Sequence, residues 1–459
     1  MLPLDKFLYE NSGKKIIFLG RGELFSSDEY ERFLKKNDIK IVKEIDEDVV
    51  AIIEHHRISH VEELVSCDAY VRNIPIYKLQ EFEELMSLSL VDSHVLMALK
   101  LSNDQQRIYQ LLNNPYINDS LFNSLIALYK WDDDVESDNN QDRGVVIATL
   151  RRYLDFKPNE EDLLYSPMSL SRLAKETQES ELLKTLLYFP DYKFLQKGKQ
   201  WVTLREVIAN SPYIDRETID KLISFRNKEI PFYLAANPAT PIEILKKFSN
   251  SQHEIEIDEA LASNTSIDHL LFTKLLSKRG SVRDTLLTYQ PIDMKRFHVV
   301  EALQIDTESY AHLGENLLVE ESVLERLVKR DNPYLQTALA DNPSLSSNLL
   351  EKIYNKGIPA HHLLLAGNPS FAPELLEELF ITYSTDERVL IALAGNPSTP
   401  VYILEKLFKL EKFEINEGLA SNESLPLELL NILKIDTRLR SALTNNKTFT
   451  DSITQAMGL

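Results

Sequence analysis

Apolar residues recur in short stripes over most of the chain. Leu121-Phe122, Leu125-Ile126 and Tyr129 form an early one. Later stripes are Ile244-Leu245 with Phe248, Leu349-Leu350 with Ile353, Leu375-Leu376 with Leu379, Ile403-Leu404 with Leu407, and Leu429-Leu430 with Leu433. Such spacing is one face of a helix. Each stripe is too short to make a core alone, so neighbouring stripes must stack.

Between stripes a phrase returns. It reads Leu234-Ala235-Ala236-Asn237-Pro238-Ala239-Thr240-Pro241 and again Leu393-Ala394-Gly395-Asn396-Pro397-Ser398-Thr399-Pro400. Taking its asparagine as the marker, copies stand at Asn210, Asn237, Asn264, Asn316, Asn342, Asn368, Asn396, Asn422 and Asn446. The long gap after Asn264 has its midpoint at Gln290, in a worn copy, Leu286-Leu287-Thr288-Tyr289-Gln290-Pro291. The spacings are then 27, 27, 26, 26, 26, 26, 28, 26 and 24 residues. This is an internal repeat of two short helices per unit.

The phrase predicts its own local structure. Proline pushes the preceding residue out of the helical region, so Asn-Pro ends a helix. The Asn side chain is expected to bond local backbone at that end. Thr240 is expected to cap the next helix, with Pro241 in its first turn and Glu243 completing a capping box. Asn recurs at a fixed period, so a structural brace explains it better than a series of active sites.

The first 88 residues have a different texture. Ile16-Ile17-Phe18-Leu19 ends at Gly20-Arg21-Gly22 and predicts a buried strand and turn. A helix follows over about 28–36. Strands are expected at 39–45 and 49–53, a helix at 60–71, a strand at 74–77 and a helix at 80–86. The order is β-α-β-β-α-β-α.

Residues 89–200 read as helices whose register against the repeat is blurred. Helices are expected at 145–154, 170–177 and 180–188, with an irregular corner from Phe189 to Trp201. Asn114-Pro115-Tyr116-Ile117 is an early copy of the phrase. An acidic insertion occupies 131–143 and is expected to be a solvated loop.

Charge and composition narrow the chemistry. The formal net charge is −20, spread along the chain. An acidic surface opposes phosphate backbones and anionic lipid, so nucleic acid and membrane are poor default partners. The single cysteine, Cys67, excludes an intrachain disulfide or a cysteine metal or iron–sulfur site. No apolar run approaches the ~20 residues needed to span a bilayer. The N-terminus lacks the basic-then-apolar run of a secretion signal, so a cytoplasmic location is expected.

Three local patterns suggest cofactors and fail on inspection. Gly20-Arg21-Gly22 follows a strand as a dinucleotide fingerprint would, but Phe25 stands where the third glycine should allow close packing. His55, His56 and His60 suggest a metal, but adjacent strand residues point to opposite sides, so only one could join His60. Asp134, Glu136 and Asp138 have calcium-loop spacing, but Asn139 replaces the required glycine and no glutamate closes the loop. No catalytic residue, cofactor or metal site is therefore assigned. The array histidines, among them His361-His362, have no nucleophile or acid at recognisable spacing.

The motif Leu-Ala-x-Asn-Pro-x-Thr-Pro-x-x-Ile-Leu resembles the variant leucine-rich repeat (LRV) over at least residues 201–459. The resemblance implies a right-handed superhelix without sheets, each unit pairing an α-helix with a short 3₁₀ helix. The family pattern also has a cysteine-rich iron–sulfur segment, which this sequence lacks. The order of elements in residues 1–88 resembles the BRCT domain. Leu19-Gly20 stands where BRCT domains carry Thr-Gly or Ser-Gly, so the small hydroxyl that helps read phosphopeptides is missing. The Gly-Gly before the second strand is Asn37-Asp38, and the signature Trp is replaced in the Phe82–Met86 region.

The sequence thus predicts a mostly α protein. A small α/β domain (1–88) precedes degenerate helical repeats (89–200) and an α-solenoid of ~26-residue two-helix units (201–459). The expected function is non-enzymatic: a scaffold gripping a protein or peptide of basic character on an extended concave face. The alternative is a nucleic-acid-associated protein using a locally basic groove together with the BRCT-like domain.

Overall fold

A computed structural model describes residues 3–22, 24–132, 140–154, 168–195, 201–250 and 255–456. The acidic stretch at 133–139, with the calcium reading on Asp134, Glu136, Asp138 and Asn139, lies outside these residues. The chain is mostly helical, with a small α/β region at its start and a run of repeated helices at its end. It forms two compact units, Met1–Arg226 and Asn227–Leu459. Boundaries were expected near residues 88 and 200.

In the first unit the apolar runs become strands β1 (Lys15–Leu19), β2 (Lys40–Val42), β3 (Val49–Glu54) and β4 (Ile76–Lys78). All pairings are parallel and the order is β2-β1-β3-β4. A parallel sheet needs cover on both faces. Helices α1 (Leu4–Glu10), α2 (Ser27–Lys35) and α4 (Leu79–Leu88) bury Phe7, Leu34, Phe82 and Met86 with Ile16, Ala51 and Ile53. Helix α3 (His60–Val71) covers the other face through Ala69, against Ile17, Leu19 and Ile52. Helix α1 is not in the sequence reading. Leu4, Phe7 and Leu8 have helical spacing, but a helix this short is stabilised by packing, not propensity.

Helices from Asp92–Ser102 to Arg216–Ser224 complete the first unit. Within the corner expected to be irregular after Phe189, Lys193–Leu195 and Trp201–Thr203 form an antiparallel pair, with Phe194 opposite Val202. The α/β region is tied to these helices by Arg107, which donates to the Leu24 carbonyl at 2.8 Å and to Glu29 at 2.6 Å.

In the second unit each repeat contributes two helices. The first ends at the marker asparagine, as Pro333–Asp341 ends at Asn342. The second follows it, as Ser347–Tyr354 does. First helices pack on first helices of neighbouring repeats. Close approach needs small residues there: a Cβ on Gly314 would lie 2.7 Å from the Ala338 Cβ, and one on Gly418 3.1 Å from the Ala394 Cβ. Both helices of a repeat are α-helical, where the LRV resemblance implies one 3₁₀ helix. The 3₁₀ turn seen among the described residues of this unit, Thr437–Leu439, only leads into the helix Arg440–Asn445.

The threonines also differ from expectation. Thr240 and Thr399 do not cap the following helix. They are buried, and their hydroxyls reach back to the carbonyls of Leu234 (2.7 Å) and Leu393 (2.8 Å). Pro400 is the N-cap residue of the helix Val401–Phe408. Threonine therefore closes the helix before it.

Candidate interaction face

The marker asparagines form a continuous ladder. Asn396 adopts φ −82°, ψ 117°, the extended conformation imposed by the following proline. Its side chain is thereby turned toward the preceding repeat. There its Nδ2 donates to the Ala366 carbonyl at 2.8 Å and the Asn368 carbonyl at 2.9 Å. Its Oδ1 accepts from the Ser398 amide at 2.8 Å. Asn264, Asn342, Asn368, Asn422 and Asn446 make the same pair of donations, and Asn316 a similar one to the Leu287 and Gln290 carbonyls. The local bond is the one the sequence implied; the bond across repeats was missed. A second, exposed ladder runs beside it, in which Ser266, Ser370 and Ser424 donate to carbonyls of Pro238, Pro343 and Pro397.

The worn copy keeps its rung. Gln290 is fully buried, and its Nε2 donates to the carbonyls of Ala262 and Asn264, both at 2.8 Å. Its Oε1 takes Arg296 Nη1 at 3.3 Å in place of a local amide. Asn237, also buried, presents its carbonyl to Asn264 and its Oδ1 to the Ala239 amide.

Asn210 requires a correction. It is exposed, and the buried residue before the proline is Ser211. The Ser211 hydroxyl accepts from the Tyr213 amide at 3.4 Å, two residues on, as the ladder Oδ1 atoms do. The marker of that copy was placed one residue early. Asn114 occupies the same position in the early copy. Its Oδ1 accepts from Tyr116 and its Nδ2 donates to Ser87 Oγ on α4, so α4 stands in for a preceding repeat.

With the asparagines committed to structure, chemistry is left to the exposed positions. On the first helices of the second unit the exposed and half-buried positions include those eight, five, four and one residues before the marker: Tyr334, Thr337, the half-buried Ala338 and Asp341 in one repeat. Charge is distributed unevenly between the two rows. The first helices carry nine acidic residues, Glu256, Asp258, Glu259, Asp284, Glu315, Asp341, Glu387, Glu414 and Glu417, against three basic ones. Of the three, Arg283 is buried against Asp306 and Arg388 pairs with Asp386 at 3.0 Å, leaving Arg440 near the end. The second helices are nearly balanced, with eleven acidic and nine basic residues.

His361 and His362 sit inside this array. His361 is 3% exposed, and burial lowers its pKa, with Lys356 and His362 adding to the effect. His362 bonds the Tyr383 hydroxyl at 2.8 Å and stacks on Tyr354. Both side chains serve packing between repeats.

The first unit offers a cleft of about 600 Å³ outside the carboxyl ends of β3 and β4, with Glu54, His55, His56, Lys78, Glu83 and Tyr116 in its wall. Crevices at such strand ends are where open parallel sheets place ligands. Here Glu83 is spent on the Tyr30 hydroxyl (2.6 Å) and the Leu24 amide (3.1 Å), and it raises the tyrosine pKa further above the value set by burial. Two carboxylates against one lysine leave the cleft mildly acidic.

Gly20 and Gly22 are held by packing. Gly20 has φ +86°, and a Cβ there would meet the His55 Cβ at 2.6 Å; one on Gly22 would overlap the Tyr30 hydroxyl. The Gly20 amide is occupied by Glu62 Oε1 at 2.9 Å. The Ser59 hydroxyl and backbone bonds hold the Glu62 pKa at about 2. A carboxylate thus sits on the amide that a phosphate would need. His55 and His56 lie past the end of β3, so strand alternation does not separate them and their rings meet at 4.1 Å. His60 pairs with Glu63. Among the described residues no three His, Cys, Asp or Glu side chains are grouped to hold a metal ion.

Comparison with protein-family models, with curated proteins and with solved structures finds no match.

Proposed function

We propose that the chain is a non-enzymatic repeat scaffold that binds a protein or peptide of basic character along the first helices of its second unit. The observation that supports this most is the charge asymmetry. The row carries nine acidic residues against three basic ones, and although Asp258 and Glu387 are themselves paired with Lys278 and Lys412, the acidic surplus repels phosphate and attracts basic side chains. A nucleic-acid groove would need the opposite sign. The repeat markers are consumed by the ladder, so recognition rests on what varies between repeats.

A photo-crosslinking amino acid at Thr337, on the first-helix row, tests this reading against one at Glu351, on the second-helix row. In extract of the native host, Thr337 should capture a protein that Glu351 does not. Co-purification of nucleic acid, or equal capture from both positions, would sink the reading.

A further inference from the structure

One opening interrupts the first-helix row. It encloses about 460 Å³ between the helices Ser309–Glu315 and Pro333–Asp341, with Leu364 of the next repeat at its edge. Ala311, Ala338 and Leu364 make an apolar base. Tyr334 forms one wall and is 55% exposed. Glu315 and Asp341 stand at the mouth, and no lysine or arginine lines it. Asp341 has no ion-pair or hydrogen-bond partner among the described residues; Glu315 is met by His312 at 3.3 Å.

An aromatic face and two carboxylates around an apolar base complement one kind of group. A planar guanidinium stacks on a tyrosine ring and forks two N–H donors onto a carboxylate, while its aliphatic stem covers small side chains. The row beyond continues the pattern. The next two first helices present Leu363, Ile391, Ala392 and Gly395, half-buried or exposed, and their charged residues, Glu387 and Arg388, are paired with Lys412 and Asp386, each at 3.0 Å. Acid outside any ion pair among the described residues returns at Glu414 and Glu417, three repeats from Asp341. Packed helices lie ~9 Å apart, so three repeats span ~27 Å. An extended peptide rises ~3.3 Å per residue and covers that distance in about eight residues.

Resting on the scaffold reading, we propose that this opening receives an arginine side chain of an extended partner peptide. A second basic residue follows about eight positions away at Glu414 and Glu417, and small or aliphatic residues lie between.

The test is selection of a random 14-residue peptide display library on the full-length chain, followed by affinity measurement of the enriched peptides. Arginine with a second basic residue seven to nine positions away should be enriched. The chain carrying Glu315→Gln with Asp341→Asn, or Tyr334→Ala, should bind those peptides at least about tenfold more weakly, with an unchanged melting temperature. The pair Glu351→Gln with Glu405→Gln, on second helices, should leave affinity as it was. Enrichment without basic residues, or with free spacing between them, overturns the arginine site while leaving the scaffold reading intact. So does undiminished affinity in the Glu315→Gln, Asp341→Asn chain. No enrichment at all, with no protein captured from Thr337, overturns both.

Discussion

At the scale of single residues, the side-chain amide of the marker asparagine performs two tasks that no other residue of its length performs together. It donates both N–H groups to buried carbonyls of one repeat and accepts an amide of its own. Asn396→Ala leaves the Ala366 carbonyl unpaired in a site 1% exposed, while the Asn368 carbonyl keeps only the Phe371 amide at 3.1 Å. One unsatisfied buried carbonyl costs ~1–3 kcal/mol, so a loss of about 1–3 kcal/mol is expected in denaturant unfolding. Asn396→Asp should be worse than alanine, because it aims carboxylate oxygen at two carbonyl oxygens. Asn396→Gln should fall between wild type and alanine, since Gln290 fills a native rung but relies on Arg296 for its own oxygen. An alanine variant as stable as wild type would refute the ladder's energetic role. His361 supplies a pH signature. Its folded pKa lies below the ordinary 6.5. As pH falls below 6.5 the unfolded imidazole takes up a proton that the buried one does not, so stability declines; above 6.5 this group contributes no slope. The difference in unfolding free energy between wild type and His361→Leu should therefore be flat from pH 8 to 6.5 and shift against wild type below it. A flat difference down to pH 5 would show that the imidazole stays accessible to protons.

At the scale of elements, glycine on the first helices acts in opposite senses at different repeats. Gly314→Ala forces a Cβ to 2.7 Å from the Ala338 Cβ and should destabilise by ~1–3 kcal/mol despite the better helix propensity. Gly395→Ala meets nothing within 4 Å and should stabilise by ~0.5–1 kcal/mol. Thermal unfolding of the two variants checks the contrast, and movement in the same direction would show that close helix packing is not the constraint. The sequence exposed the pairing of helices because apolar stripes and Asn-Pro report local periods. Strand β3 and helix α3 were placed almost to the residue for the same reason. What it hid was whatever depends on a partner distant in sequence. Thr240 looks like a helix start, yet its hydroxyl is claimed by Leu234, six residues back. Asn210 and Ser211 both fit the phrase, and only burial tells which faces the preceding repeat. The hairpin at Phe194 and Val202 has strands too short for any alternation to show. The opening at Tyr334 draws its walls from successive repeats, so no single copy of the phrase announces it.

At the scale of the whole molecule, the ladder makes the second unit a one-dimensional object. Each rung touches only the repeat before it, so stability is a sum of repeat terms and neighbour terms. The rung at Asn446 is built differently. Lys447 replaces the proline after Asn446, the helix Lys447–Ala456 begins at once, and the Asn446 carbonyl accepts from the Thr450 amide at 3.0 Å. Removing a rung should then have consequences that depend on its place. Asn342→Ala cuts the coupling between the repeat of Asn316 and its successor in mid-array. The helices on either side should open more independently, and hydrogen exchange should quicken from Ser309 to Gly367. Asn446→Ala removes the same pair of bonds, to Ala420 and Asn422. Its effect should be confined to the helices that rung joins, Phe413–Ser421, Arg440–Asn445 and Lys447–Ala456, because each rung touches only the repeat before it. Equal and uniform loss of protection across residues 227–456 in both variants would mean that the unit opens as one cooperative block, and the nearest-neighbour description would fail.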